Sequence, residues 1–432
     1  MDSGFGIRDS GFGQCPPTET SAAARQPESV TCPSMRPRSV AACLVVVVAA
    51  LAVSATWLRS YTRAAAMFVR TAQMGGQAAD ALEWEREAVT VHMVTVPSRH
   101  GPLRARLFVP SRIRRAVTLT AGVNMLGIDE PRLYGLAYEI ASVGIAVLTP
   151  ETPDLARFLI TPRTTDMIED SAVWLSGQPR LARDGRIGMM GISFSGGLAT
   201  VAAGRPRLRG RVDYVFSFGG YGSFPRVLRF LCTGKEPALR PDGPAAGTAA
   251  AAPAEVYLRP HDYGVAIILL GAADRVVPPG QAEPLRAAIR TFLAAATYDL
   301  IDKRLAGRTF DEADRQAAAL PEPSRTLMQQ VNTRDVERLG ALLEPVIRTE
   351  GQDPALSPEK SPPPICPVFL IHGTGDTVIP AIETLRLDRF LRDTTRVRTL
   401  VSSLITHAEM DQQHGYGEIW KLVDFFAALI RA

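Results

Sequence analysis

The stretch Arg186-Ile-Gly-Met-Met-Gly-Ile-Ser193-Phe-Ser195-Gly-Gly-Leu-Ala-Thr200 reads as a short apolar strand, a turn of small residues and the start of an Ala-rich helix. A strand that reverses so sharply into a helix brings backbone atoms on either side of the bend together. Only small side chains then fit two residues before and two after the residue at its apex. Gly191 and Ser195 take those places around Ser193, and Gly196-Gly197 follow at once. Ser193 is therefore the candidate nucleophile. The other register sets Ser195 at the bend between Ser193 and Gly197, but the apolar strand runs straight into Gly191 and favours Ser193.

Outward from this turn, apolar runs recur at Ala88–Val96, Leu103–Val109, Ala116–Ala121, Gly144–Leu148, Ile187–Ile192, Val212–Phe218, Pro367–Ile371 and Val397–Leu404. Helical patterns such as Tyr134–Ser142 and Thr165–Leu175 alternate with the later strands, as parallel βαβ units do, so the fold class is α/β. Between Tyr221 and Cys366 lie about 140 residues, far more than a connecting loop. Helical patterns at Phe224–Cys232, Ala282–Leu300, Glu312–Ala319 and Val336–Arg348 make this an inserted helical cap over residues 223–365. Its apolar residues, including Phe230, Leu231, Phe292 and Leu293, are candidates for an acyl pocket, with helix packing as the alternative. Two Pro/Ala-rich stretches, Pro237–Ala254 and Pro354–Pro364, read as its hinges or edges.

The strand–elbow–helix and the strands around it resemble the α/β-hydrolase superfamily, more loosely its dienelactone-hydrolase-like and prolyl-oligopeptidase-like esterases, over residues 88–222 and 366–432. That resemblance implies an α/β-hydrolase fold with an eight-stranded, mostly parallel sheet. A serine hydroxyl needs an imidazole to take its proton and a carboxylate to orient that imidazole. Of six histidines, His407 follows the last strand and precedes the closing helix, where the superfamily places its base, and His414 is the reserve. His92, His100, His261 and His372 read as structural. In Phe369-Leu-Ile-His-Gly-Thr-Gly-Asp376-Thr-Val-Ile-Pro380 a strand leads into a Gly-rich turn with one carboxylate, the superfamily's usual place for the acid. A look-alike turn holds Asp274, but strand counting leaves it inside the cap, where Tyr263–Val277 is open to a helical reading. The implied triad is Ser193, Asp376 and His407. The implied oxyanion donors are the N–H groups of Phe194 and of Val123 in Thr120-Ala-Gly-Val-Asn-Met-Leu-Gly127, with Asn124 left open as the second donor.

Composition excludes other classes. The 432 residues are 46% apolar and 21% charged with a net charge of +4, enough for a large core and without a basic stripe for nucleic acid. Only Cys232 and Cys366 fall in the folded body, as one disulfide or two buried thiols. With no GxGxxG after a strand, no P-loop and no Cys/His cluster of ligand spacing, no metal site and no cofactor is expected.

The front of the chain reads differently. Residues 1–34 are rich in Gly, Ser, Pro and Thr and are expected to be disordered, and Met35, before Arg36 and Arg38, is an alternative start. From Ser39 to Leu58 no charge occurs, a length that spans a bilayer, so a single-pass transmembrane signal-anchor is expected there. Val53-Ser54-Ala55 offers the alternative of a cleaved signal peptide. Residues 59–87 then read as a helical stalk. The expected protein is a membrane-anchored serine hydrolase, a carboxylic ester hydrolase with its catalytic domain on the extracytoplasmic side, taking a small-molecule ester or acyl substrate. Protein partners are not named by the sequence. The alternatives are a peptidase or acyltransferase using the same triad, or a catalytically silent binding protein that has kept the fold.

Overall fold

The computed structural model describes residues 54–67, 69–70, 83, 86–237, 255–406, 409–410 and 416–432. The predicted disordered tail and residues 39–53 of the predicted anchor lie outside them. Among the described residues no helix is long and apolar enough to cross a membrane.

One eight-stranded sheet organises the described chain. Its strands are β1 (Val89–Val96), β2 (Leu103–Pro110), β3 (Arg115–Thr120), β4 (Ile145–Pro150), β5 (Ile187–Ile192), β6 (Val212–Phe218), β7 (Val368–Gly373) and β8 (Val397–Ser402). They lie in the order β1-β2-β4-β3-β5-β6-β7-β8. β2 runs antiparallel to both β1 and β4, and every other pairing is parallel. Exposure alternates along most of edge strand β1, whereas β4 is buried at every residue, as expected where helices cover both faces. After β4 the chain crosses back past β3 to form β5. The carboxyl ends of β3 and β5 therefore meet where the sheet changes its direction of growth, the place where open α/β sheets leave a crevice.

Two layers of helix bury the sheet. Helices α1 (Pro131–Ser142) and α11 (Tyr416–Arg431) pack on one face with Val117, Leu119, Met190, Tyr214 and Phe216. Helices α2 (Pro162–Ser176) and α3 (Phe194–Ala203) pack on the other with Ala116, Met189 and Val215. The larger core continues into the insertion, which is built from α4 (Phe224–Thr233), α5 (Asp262–Val276), α6 (Pro279–Asp299), α7 (Lys303–Ala319), α8 (Ser324–Asn332) and α9 (Val336–Ile347). A helix α10 (Ala381–Leu391) connects β7 to β8. The eight predicted strand runs all contain strands. The apolar run from Tyr263 to Val277 lies in α5, because its length and its apolar residues on most faces suit a helix wedged between others.

Within the region read as a helical stalk, the described residues 59–67 pack on the body. Residues 54–67 are helical, with Ala64 buried against Val423 and Ala427 of α11. The Tyr61 hydroxyl donates to Asp424 at 2.6 Å, its ring stacks on Trp420, and Arg70 reaches α1 through Glu139 and Ser142. A helix with one apolar stripe gains by burying it, and α11 offers a matching row of small and branched side chains.

Both ends of the cap are tied to the core by a buried charge cluster. Arg226 of α4 donates to Glu359 and to Glu383 of α10, each at 2.6 Å. Glu383 also accepts from the N–H groups of Gly222 and Ser223, and Arg386 donates to Glu236 at 2.7 Å. Three carboxylates thus face two guanidiniums. Burial, and then the neighbouring Glu383 charge, push the Glu236 carboxyl up to about 7, and its Oε1 has no hydrogen-bond partner among the described residues. The thiols of Cys232 and Cys366 are free and buried, which pushes them up to about 12 and about 11.

This cluster makes stability depend on pH. The native state holds a proton on Glu236 that the unfolded chain releases near pH 4 to 5, so the contribution is complete below that range and is lost as pH rises through about 7. Glu236→Gln keeps the neutral form at every pH. Urea unfolding at pH 5 and pH 8 is expected to show a smaller loss between the two for the variant than for the parent; equal losses contradict the assignment.

Candidate active site

Ser193 sits between β5 and α3 with φ 57° and ψ −128°, a conformation that non-glycine residues seldom adopt. Local packing holds it there. A Cβ on Gly191 would lie 2.2 Å from the Ser195 carbonyl oxygen, and one on Gly196 would lie 2.5 Å from Ser217 Oγ. The Ser193 N–H donates to the Phe218 carbonyl at 2.6 Å, fixing the bend to the end of β6. Ser195 faces inward instead. Its buried hydroxyl accepts from the Ile192 N–H and lies within 2.8 Å of the carbonyls of Thr120 and Ile192. With its lone pair and its proton both engaged, Ser195 staples the elbow, and Ser193 is left at its crest.

The loop after β3 lies directly on this elbow. A Cβ on Gly122 would come within 3.2 Å of both Ser193 Cβ and the Ile192 carbonyl oxygen, so the backbone at Gly122 passes beside Ser193. Val123 and Ser193 line one cavity. Asn124 turns its side chain back into the loop, where Oδ1 accepts from the Leu126 N–H at 2.8 Å. Phe194 is the first residue of α3, a position whose N–H has no acceptor within the helix.

Asp376 is buried in the turn after β7. Its Oδ1 accepts from the N–H groups of Val378 and Ile379 at 2.8 and 3.0 Å, and its Oδ2 lies 3.3 Å from His372 Nε2. It is tied to the elbow through β6: Gly219, next to the residue that accepts from Ser193, donates to the Ile371 carbonyl, and a Cβ on Gly219 would lie 3.6 Å from Asp376 Oδ2. His372 is wholly buried. Its Nε2 lies 2.8 Å from the Ile379 carbonyl, which can only accept, so that nitrogen carries the proton and Nδ1 accepts the Thr384 hydroxyl at 2.6 Å. Both nitrogens are engaged in shaping the turn that holds Asp376, a structural role. The HGxxD spacing was its only available signal.

His407 and His414 lie outside the described residues. The paired strands Ile405–Thr406 and Glu409–Met410 flank His407 in sequence. Ile405 packs its carbonyl so closely on Gly373 that a Cβ there would lie 2.2 Å away, and Ile405 lines the same cavity as Ser193. Asp274 is elsewhere: it is exposed on α5 and paired with Arg286. His92 lies on edge strand β1, and His100 pairs with Asp166 at 2.8 Å. His261 caps α5, donates its N–H to the Thr377 carbonyl at 2.8 Å and borders the Ser193 cavity, a placement the sequence reading did not anticipate. Among the described residues no group of three or more His, Cys, Asp or Glu is placed to hold a metal.

No family model matches the chain, and no curated protein matches it in sequence. Solved structures do. An esterase from Pyrobaculum calidifontis is 14% identical with a TM-score of 0.41 over 81% of this chain and 89% of its own. A dienelactone hydrolase from Anabaena variabilis is 14% identical with a TM-score of 0.36 over 79% and 97%. An acylaminoacyl peptidase from Pyrococcus horikoshii is 13% identical with a TM-score of 0.38 over 82% of this chain and 43% of its own. These values are low, and the fold is assigned on strand order and elbow geometry.

The two serines are expected to separate cleanly. Ser195→Ala strands the Ile192 N–H and lowers the unfolding free energy by about 1–3 kcal/mol, yet a fluorophosphonate still modifies the peptide holding Ser193. Modification of Ser195 in folded Ser193→Ala protein contradicts this arrangement. Strand order, the strained serine where β3 and β5 part and the helices on both faces of the sheet are those of the α/β-hydrolase fold.

Proposed function

We propose that the protein is a serine hydrolase that cleaves carboxylic esters through an acyl-enzyme intermediate. The observation that carries this reading is the strained Ser193 backbone, which lifts a hydroxyl to the cavity surface while Ser195 is bonded beneath it. In this mechanism His407 accepts the Ser193 proton as Oγ attacks the ester carbonyl, and Asp376 orients the imidazole. The N–H groups of Phe194 and Val123 hold the developing oxyanion. The tetrahedral intermediate collapses with departure of the alcohol, which takes its proton from His407. Water, activated by the same imidazole, then releases the acid.

A separate observation supports an anchored position. The uncharged run from Ser39 to Leu58 leads into the docked helix at 54–67, where Trp57 and Leu58 remain exposed, as does Trp420, which stacks on Tyr61. Aromatic side chains with one apolar and one polar side suit a membrane interface. The proposed arrangement is a single-pass anchor with the catalytic domain on the extracytoplasmic side.

Ser193→Ala is expected to abolish turnover of p-nitrophenyl butyrate, and Asp376→Asn to lower kcat by roughly a thousandfold or more. Asp274→Asn is expected to change it less than about tenfold, because it removes an exposed ion pair with Arg286 on a cap helix. A larger effect at Asp274 than at Asp376 in folded variants moves the acid. For the anchor, the full chain is expected to sediment with membranes and to resist carbonate extraction. Recovery in the soluble fraction with an N-terminus after Ala52 or Ala55 identifies a cleaved signal peptide instead.

A further inference from the structure

His261 stands where the chain enters α5, and the mechanism above gives its side chain no task. Its backbone N–H donates to the carbonyl of Thr377, the residue after Asp376, at 2.8 Å, so the cap is tied here to the turn that holds Asp376. The imidazole lines the same cavity as Ser193, with 35% of the side chain exposed. Its Nδ1 lies 3.0 Å from Asp262 Oδ1 and 3.3 Å from the Tyr263 nitrogen, so the shorter contact is with the carboxyl. Burial opposes a charge on Asp262, but the hydrogen bond and charge of His261 and the Arg334 guanidinium, 3.2 Å from Oδ2, outweigh it and hold the carboxyl below its usual range. A carboxylate can only accept, so in the neutral ring the proton sits on Nδ1 and the lone pair on Nε2. The Tyr263 ring flanks the imidazole, with centroids 4.4 Å apart. Among the described residues Nε2 has no hydrogen-bond partner. An oriented acceptor therefore stands beside the acid turn, held by a carboxylate other than Asp376.

We propose that His261 sets specificity for the alcohol side of the ester: Nε2 accepts a hydrogen bond from a free hydroxyl on the alcohol portion, and the preferred substrate is an ester of a neutral polyol. The proposal rests on the serine-hydrolase reading above and adds the substrate's class. Placement selects the alcohol side. The leaving oxygen takes its proton from the imidazole that Asp376 orients, so the alcohol lies toward the acid turn, whereas the ester's carbonyl oxygen lies toward the start of α3 and the loop after β3. His261 is fastened one residue from Asp376. Charge selects a neutral group. Asp262 is matched by Arg334, and Asp299, which lines the same cavity, by Lys303 at 2.8 Å, so the charges around His261 are compensated. A lone pair on a neutral ring needs a donor, and an ester of a simple alcohol has none. A further hydroxyl on the alcohol supplies it. Asp262 is then a positioning residue that fixes the tautomer of His261.

The test uses the full chain with glyceryl monobutyrate and propyl butyrate, which share an acyl group and differ only in the added hydroxyls of the alcohol. In His261→Ala the ratio of kcat/KM, glyceryl over propyl, is expected to fall at least about fivefold, the loss of one hydrogen bond. His261→Gln, whose side-chain amide reaches about as far as Nε2, is expected to keep most of the parent's ratio. An equal loss on the two esters, or no loss on either, in His261→Ala protein that still takes a fluorophosphonate on Ser193 reduces His261 to a structural role and overturns the proposal. Loss of p-nitrophenyl butyrate turnover as well makes it the catalytic base, which also overturns it. The parent chain supplies a measurement that needs no variant, because the site that releases the alcohol also receives an acceptor. The acyl-enzyme formed from p-nitrophenyl butyrate is expected to pass to propylene glycol more readily than to propanol at equal concentration. Equal partition contradicts the proposal while leaving the hydrolase reading standing. No fluorophosphonate adduct on Ser193 of the parent overturns both.

Discussion

The site depends on one backbone constraint, the left-handed conformation of Ser193. Such a conformation in a non-glycine residue costs on the order of 1–3 kcal/mol and persists only where its surroundings leave no alternative. Here the Phe218 carbonyl takes the Ser193 N–H, Ser195 bonds back to the end of β5, and Gly191 and Gly196 admit atoms closer than any side chain would allow. The same compactness brings the Gly122 backbone beside Ser193. The strain, the serine's exposure to the cavity and the candidate donors of an oxyanion hole therefore have a common cause.

Much of this was legible in the sequence because it is local. Small residues at 191, 195, 196 and 197 announce a tight bend, and apolar runs of strand length announce a sheet. The insertion's helices were legible where their apolar stripes were regular, as in α4 and α9. Separating Asp376 from Asp274 needed only the strand count, and the structure shows one in a buried turn and the other exposed and paired with Arg286.

What the sequence withheld depends on contacts between distant segments. Nothing near Ser60 or Ala64 says that α11, more than 350 positions away, will bury them, so the packing of the first part of the helical stalk on α11 was not legible. Arg226, Glu236, Glu359 and Glu383 look like ordinary surface charges until four elements bring them together at the cap's base. The acyl pocket first sought among cap residues is likewise divided. Leu231 and Leu293 line the same cavity as Ser193, and Phe230 and Phe292 are buried in helix packing.

The central claim is that Ser193 forms a covalent acyl-enzyme. The direct measurement is rapid mixing with excess p-nitrophenyl acetate, followed by acid quench and peptide mass analysis. The account predicts a burst of p-nitrophenol approaching one per chain and an acetyl group on the peptide holding Ser193. Linear release with no burst and no acetylated peptide under conditions where the ester is turned over, or an acetyl group on another residue, contradicts it.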